Sequence, residues 1–150
     1  GRTMKIITDI KQLRKPTEWV DDSEDISEVV DKLFEGLKEH NALGLSANQL
    51  GYNKRIFVMS MKPFPPVCIV NPTITKERGT QLGEEACLSI PETRQPNSAI
   101  KVKRPQQVTV KGLNQYLKPV KYKLNGLQAR IACHELDHLI GRLIIDYKRK

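Results

Sequence analysis

The chain has 150 residues, with 25 Lys and Arg against 17 Asp and Glu, a formal net charge of +8 and three cysteines. That length suits a single domain over residues 1–150 with no need of a disulfide scaffold. A composition of 39% hydrophobic and 28% charged residues excludes a disordered chain. No apolar run nears the ~20 residues that span a bilayer and no secretory signal is visible, so no membrane partner is expected. The odd count and open spacing of Cys68, Cys87 and Cys133 speak against a secreted disulfide protein and for a cytoplasmic setting. The basic balance alone suggests an anionic partner, nucleic acid or ribosome, and says nothing of chemistry.

Met4 reads as the natural start, with Gly1, Arg2 and Thr3 a remnant ahead of it. The acidic run Asp21–Asp25 precedes Ile26, Val29, Val30, Leu33 and Leu37. Spacings of three and four predict an amphipathic helix with its acidic residues at the positive end, finishing near His40 and Asn41. Gly44 and Gly51 bracket an expected loop. Ile56–Met59, Val67–Val70 and Val108–Val110 read as short strands, and Leu117–Leu124 alternates as a half-buried one. Prolines at 63, 65, 66, 72, 91, 96 and 105 are expected to break the middle of the chain into short pieces. A second helix is predicted from about Gly126 to Leu139 or Ile140, stopped by Gly141. Helix, strands, helix is an α+β order.

The second helix carries His134-Glu135-Leu136-Asp137-His138, the H-E-x-x-H pattern. Residues four apart share a helix face, so both imidazoles reach one ion. Glu135, one step round, approaches a metal-activated water without being a ligand. Apolar Ile131, Leu136, Leu139 and Ile140 place this helix in the core, where ionisable groups need partners or a metal. Two histidines leave a catalytic site one ligand short. No third His lies downstream. Asp146 would have to fold back, and Cys87, in Glu84-Glu85-Ala86-Cys87-Leu88-Ser89, offers a soft thiolate.

Three segments together resemble the peptide deformylase family. Gly44-Leu45-Ser46-Ala47-Asn48-Gln49 is similar to its G-x-G-x-A-A-x-Q motif, Glu85-Ala86-Cys87-Leu88-Ser89 to E-G-C-L-S, and Cys133-His134-Glu135-Leu136-Asp137-His138-Leu139 to Q-H-E-x-D-H-L. The likeness runs from about Met4 to Tyr147. It implies short antiparallel sheets packed around a central C-terminal metal-binding helix, with an N-terminal helix. It implies hydrolysis of the N-formyl group from the formyl-methionine of nascent peptides, releasing formate, a metal-bound water attacking the formyl carbon. By motif position Cys87, His134 and His138 bind the metal and Glu135 is the general base. Gln49 and the backbone N–H of Leu88 hold the developing oxyanion. Fe²⁺ is the implied native ion, with Zn²⁺, Ni²⁺ or Co²⁺ able to occupy the site.

The same resemblance implies that Leu43, Gly44, Ala86, Leu127, Arg130 and Ile131 fall at the substrate pocket, with Gly44 letting the substrate backbone approach closely. Asp137 is expected to face away from the metal and to anchor the site, paired with Arg104.

Several positions depart from the family pattern. Ala42 and Ser46 replace small residues with small ones. Ala86 stands for Gly, which matters if the position needs positive φ. Cys133 stands beside a ligand where the family has Gln. Arg130 replaces an apolar pocket residue, and its stem is expected to line the wall while its charge reaches water. The chain stops at Tyr147-Lys148-Arg149-Lys150, which suits a compact form without the C-terminal helical extension. Ribosome association is an expectation of charge and family, and no sequence-specific nucleic-acid binding is expected. Lys101, Lys103, Arg104, Lys118, Lys121, Lys123 and residues 148–150 read as solvated surface. A different H-E-x-x-H hydrolase stays open, as does a basic binding module whose structural metal takes Cys68 or Cys133 as fourth ligand.

Overall fold

The apolar series does make a helix, with the acidic run lying just ahead of its first turn. In the computed structural model, which describes residues 4–148, helix α2 spans Ser27–Glu39 and buries Val29, Val30, Leu33 and Leu37. It is preceded by a single unpredicted turn, α1 (Ile10–Leu13), capped by the Asp9 carboxylate, which accepts from Lys11 N at 3.0 Å. Four residues are too few to show periodicity. The suggested remnant, residues 1–3, lies outside the described part of the chain.

Among the described residues seven strands follow: β1 (Gly44–Ser46), β2 (Ile56–Met61), β3 (Phe64–Arg78), β4 (Gln81–Glu85), β5 (Ile100–Arg104), β6 (Gln107–Leu113) and β7 (Pro119–Asn125). All pairings are antiparallel, in a five-stranded sheet ordered β1-β2-β3-β6-β7 and a two-stranded β4-β5 sheet. The expected loop from Gly44 to Gly51 is instead strand β1 followed by a 3₁₀ turn, Ala47–Leu50. The prolines interrupt less than expected, since Pro65, Pro66 and Pro72 all lie within the 15 residues of β3. Pro72 sits where the β3–β6 register shifts, between Val70 and Thr73, a bulge that spares the missing N–H. Strand β7 begins at Pro119, because Leu117 takes φ 61° in a turn. Strand β4 went unread because Gln81-Leu82-Gly83-Glu84-Glu85 has no β-branched residue.

Alternation along β2 decides the packing. Ile56 and Val58 face α2 with Leu45, Cys68 and Val70, whereas Phe57 and Met59 face helix α3 (Leu127–Leu139) with Ile69, Val110 and Leu124. A third cluster of Leu13, Cys87, Ile90, Val102, Leu143 and Ile144 holds the segment after β4. Helix α3 is buried on most of its circumference. This is the expected α+β arrangement of antiparallel sheets around a C-terminal helix. The helix stops at Gly141, where φ is 80° and a Cβ would stand 2.1 Å from Arg14 O, so only glycine lets α1 and the end of α3 meet.

Of the cations expected on the surface, Lys101, Lys103, Lys118, Lys121, Lys123 and Lys148 are exposed, but Arg104 is buried at 3% exposure. Arg149 and Lys150 lie outside the described residues. Among the described residues no helix is long and apolar enough to cross a membrane.

Candidate active site

Helical spacing puts His134 and His138 on one face of α3, their ring centroids 5.0 Å apart. The turn after β4 brings Cys87 to them, its Sγ 3.2 Å from His138 Nε2. One ligand atom each from Cys87, His134 and His138 lies within 4.8 Å of the others, and among the described residues no other such group of three forms. The turn is pinned by Thr93, whose hydroxyl accepts from Cys87 N at 3.0 Å and donates to Ile90 O at 2.6 Å. Asn48 Nδ2 donates to the His138 carbonyl at 2.7 Å and so ties the end of α3 to the first motif.

The alternative ligands are elsewhere. Asp146 is spent on Arg14, whose Nη2 donates to Oδ1 at 2.8 Å. Cys68 and Cys133 sit in the α2-facing and α3-facing cores, and burial pushes both thiols up to about 12. Among the described residues neither a downstream carboxylate nor a second thiolate closes the site.

Behind the ligands stands a layer of charges of which the sequence anticipated one pair, Arg104 with Asp137. Glu85 Oε1 accepts from His134 Nδ1 at 2.8 Å, leaving the other ring nitrogen for a ligand role. Arg104 forks onto the same carboxylate, Nη2 to Oε1 at 2.9 Å and Nε to Oε2 at 3.0 Å. Its Nη1 donates to Asp137 Oδ2 at 2.5 Å, the pairing expected from sequence, and to Tyr147 Oη at 3.1 Å. Burial raises the Glu85 carboxyl, but the donors from His134 and Arg104 outweigh it and bring it down to about 2. The sequence signal for Glu85 was its place at the head of Glu85-Ala86-Cys87-Leu88-Ser89, two residues before the candidate ligand Cys87.

Arg130 differs from expectation. Its charge does not reach water: Nη1 donates to Glu85 Oε2 at 2.5 Å and to Val102 O at 3.1 Å, and the residue is 8% exposed. A buried carboxylate offers the guanidinium a stronger partner than solvent does. Ala86 is not among the residues with positive φ, so its methyl is tolerated there.

Glu135 stands apart from that layer. It is buried, and its Oε1 has no hydrogen-bond partner among the described residues. Burial lifts its carboxyl to about 7, despite a lowering influence from His134. A Cβ on Gly44 would lie 2.7 Å from Glu135 Oε2, so glycine is required there to seat the carboxylate, before any approach of substrate. Burial likewise holds the His138 imidazole well below its ordinary value, in the neutral form a ligand needs. An S, N, N donor set beside an orphaned carboxylate oxygen suits one divalent ion and the water it activates.

Gln49 is oriented by Ser46, whose N–H and hydroxyl both donate to Oε1 at 3.0 Å. The amide nitrogen is thereby turned toward the site, 3.1 Å from Ser89 Oγ and 3.8 Å from Cys87 Sγ. Leu88 N–H has no protein acceptor among the described residues. A cavity of about 270 Å³ opens on this cluster, bordered by Leu43, Gly44, Ala86, Leu88, Leu127, Arg130 and Ile131. Leu43 and Leu127 are exposed at its rim, while Ile131 is buried in the α3 core. Hollows of about 870 and 720 Å³ elsewhere gather no such donors.

The polypeptide deformylase family model matches residues 4–150. A peptide deformylase of Thermodesulfovibrio yellowstonii is 35% identical over 139 residues, covering 89% of this chain and 81% of that protein. The crystal structure of a peptide deformylase from Legionella pneumophila superposes with a TM-score of 0.89 at 30% identity, covering 99% of this chain and 87% of that one. A probable peptide deformylase from Synechococcus phage S-SSM7 gives a TM-score of 0.83 at 36% identity, over 96% of this chain and 99% of that one. With the motifs, the fold and these relatives in agreement, the chain belongs to the polypeptide deformylase family, metal-dependent hydrolases that remove the formyl group from the N-terminal formyl-methionine of nascent peptides.

Proposed function

We propose that Cys87, His134 and His138 hold a single divalent ion and that Glu135 is the general base of deformylation. The observation that carries this is the meeting of three soft-to-borderline donors, within 4.8 Å of one another, with the unpartnered Glu135 Oε1 on the same helix. The ion supplies Lewis acidity, lowering the pKa of a water toward ~7. Glu135 Oε1 would take a proton from a water as its oxygen adds to the formyl carbon, and would return that proton to the amine nitrogen as the formyl C–N bond breaks, leaving formate and a free N-terminus. A carboxyl pushed up to about 7 is suited to both halves of this exchange. Gln49 Nε2 and Leu88 N–H donate to the formyl oxygen as its charge grows, which favours the transition state over the ground state.

Among the described residues strand β1 pairs only with β2, which leaves its other edge beside Gly44 to receive an extended peptide as an added strand. Leu43, Leu127 and Ile131 offer the apolar surface for the methionine side chain, with Ala86 and the Arg130 stem beside them. The Cys-His-His set fits Fe²⁺, Zn²⁺, Ni²⁺ or Co²⁺, and we assign Fe²⁺ as the native ion. Residues 1–150 act as one catalytic domain in the cytoplasm, with weak, salt-sensitive ribosome association driven by the net charge of +8.

The test is formate release from a formyl-Met peptide by anaerobically prepared protein, with Glu135→Ala as the control. No formate from wild type loaded with Fe²⁺, Ni²⁺ or Co²⁺ would overturn the assignment. Full metal content in Cys87→Ala would remove that cysteine from the ligand set. Metal analysis of the anaerobic protein identifies the native ion. Co-sedimentation with ribosomes at low and moderate salt tests the association, and no binding at either ends it.

A further inference from the structure

Arg130 precedes His134 by four residues, so both side chains leave α3 on one face. Both reach the same carboxylate. His134 Nδ1 meets Glu85 Oε1 at 2.8 Å and Arg130 Nη1 meets Oε2 at 2.5 Å. Helix α3 therefore grips Glu85 at two points, and Glu85 lies two residues from Cys87 on the other side of the donor cluster. The guanidinium is built in. It reaches the Val102 carbonyl of β5 at 3.1 Å, and its Nη2 lies 3.4 Å from Gln81 Oε1. It fills the space left by Gly83, where a Cβ would stand 2.8 Å from Nη2 and 2.9 Å from Cζ. Arg104 is shared between Glu85 and Asp137. Arg130 therefore balances the second carboxylate of the layer, and its removal leaves Glu85 to the Arg104 fork and His134 alone.

We propose that Arg130 is a positioning residue for the donor cluster. By holding Glu85 Oε2 from α3 it fixes Oε1 under His134 Nδ1, and so fixes the helix bearing the two histidines against the turn bearing Cys87. This rests on the reading of Cys87, His134 and His138 as ligands. It assigns the Arg130 guanidinium a role behind the donor cluster, while its stem stays on the border of the cavity.

The experiment uses full-length protein loaded with Co²⁺, following the cobalt–thiolate absorption while a chelator removes the ion. Arg130→Met should lose metal about tenfold faster than wild type, in the range typical for partners behind metal ligands. Arg130→Lys, which keeps one donor, should fall between. Gly83→Ala, which keeps the charge but crowds its seat, should move in the same direction, and carries the test should Arg130→Met not fold. In a Glu85→Gln background, Arg130→Met should add little, because its partner is already altered. Metal loss at the wild-type rate in both Arg130→Met and Gly83→Ala would overturn the proposal, as would a full additive loss on top of Glu85→Gln. A changed preference between formyl-Met and formyl-Ala peptides with unchanged metal retention would also overturn it, returning Arg130 to the pocket wall. Wild type that binds no Co²⁺ at all would instead strike the ligand assignment itself.

Discussion

Glu85 and Glu135 are both buried carboxylates beside His134, 6% and 4% exposed, and the fold treats them in opposite ways. Glu85 accepts from Arg104, Arg130 and His134, and is brought down to about 2. Glu135 has one oxygen with no partner and another pressed on Gly44, and is raised to about 7. Burial pushes both upward. Glu85 is then brought down by its donors, while Glu135 lacks them and is raised further by the neighbouring Glu85 and Asp137 charges, and this sets one carboxylate to anchor structure and leaves the other to exchange a proton.

The largest effect should come from Glu135→Gln. Loss of the proton acceptor should lower formate release by about 10²–10⁴-fold, with metal content unchanged. Metal lost along with activity would show that Glu135 belongs to the anchoring layer after all. Glu85→Ala tests the other side of the contrast. It strands Arg104 and Arg130 without their shared carboxylate, and should cost about 3–5 kcal/mol in denaturant unfolding. Stability within error of wild type would mean that the charge layer is held by other contacts.

The two carboxylates should also respond to pH in opposite senses in metal-free protein. The Glu135 carboxyl holds its proton to about 7 when folded and to its ordinary 4.5 when unfolded. Its contribution is complete below 4.5 and is lost as pH rises through about 7. Glu85 contributes above 4.5, and that contribution is lost as pH falls toward about 2. Glu135→Gln should therefore stabilise metal-free protein at pH 8 by up to roughly 3 kcal/mol, given the carboxyl's rise to about 7, and by much less at pH 5. An equal effect at both values would deny the raised carboxyl.

A third carboxylate carries the comparison to the surface. Asp146 pairs with Arg14 where the two side chains are 28% and 43% exposed. Asp146→Asn should cost no more than about 1 kcal/mol and leave metal stoichiometry intact. A lost metal would restore it as a ligand.

How much of this was legible depends on distance along the chain. His134, Glu135 and His138 lie within five residues, and helix periodicity alone puts them on adjoining faces. Helix α2 was legible for the same reason. Cys87 was one of two ligands left open by the residues themselves, and it was the likeness of three motifs that favoured it over Asp146. Of the charge layer, sequence reading reached one bond, Arg104 to Asp137. It missed Glu85 as the hub and sent Arg130 to solvent, because those contacts span 19, 45 and 49 residues of sequence. No local periodicity encodes such pairs. Gly44 was assigned to substrate approach, yet its close neighbour is the Glu135 carboxylate.

The sequence by itself determined the chemistry that one helical turn can carry, two imidazoles and a carboxylate in the H-E-x-x-H spacing, along with the α+β order of elements. Only the tertiary structure decided which of the buried carboxylates stays free to take a proton. That choice is made by Arg104 on β5 and Arg130 on α3 converging on Glu85 of β4. The strength of a charged group in a low-dielectric interior is set by the partners that chain folding brings to it.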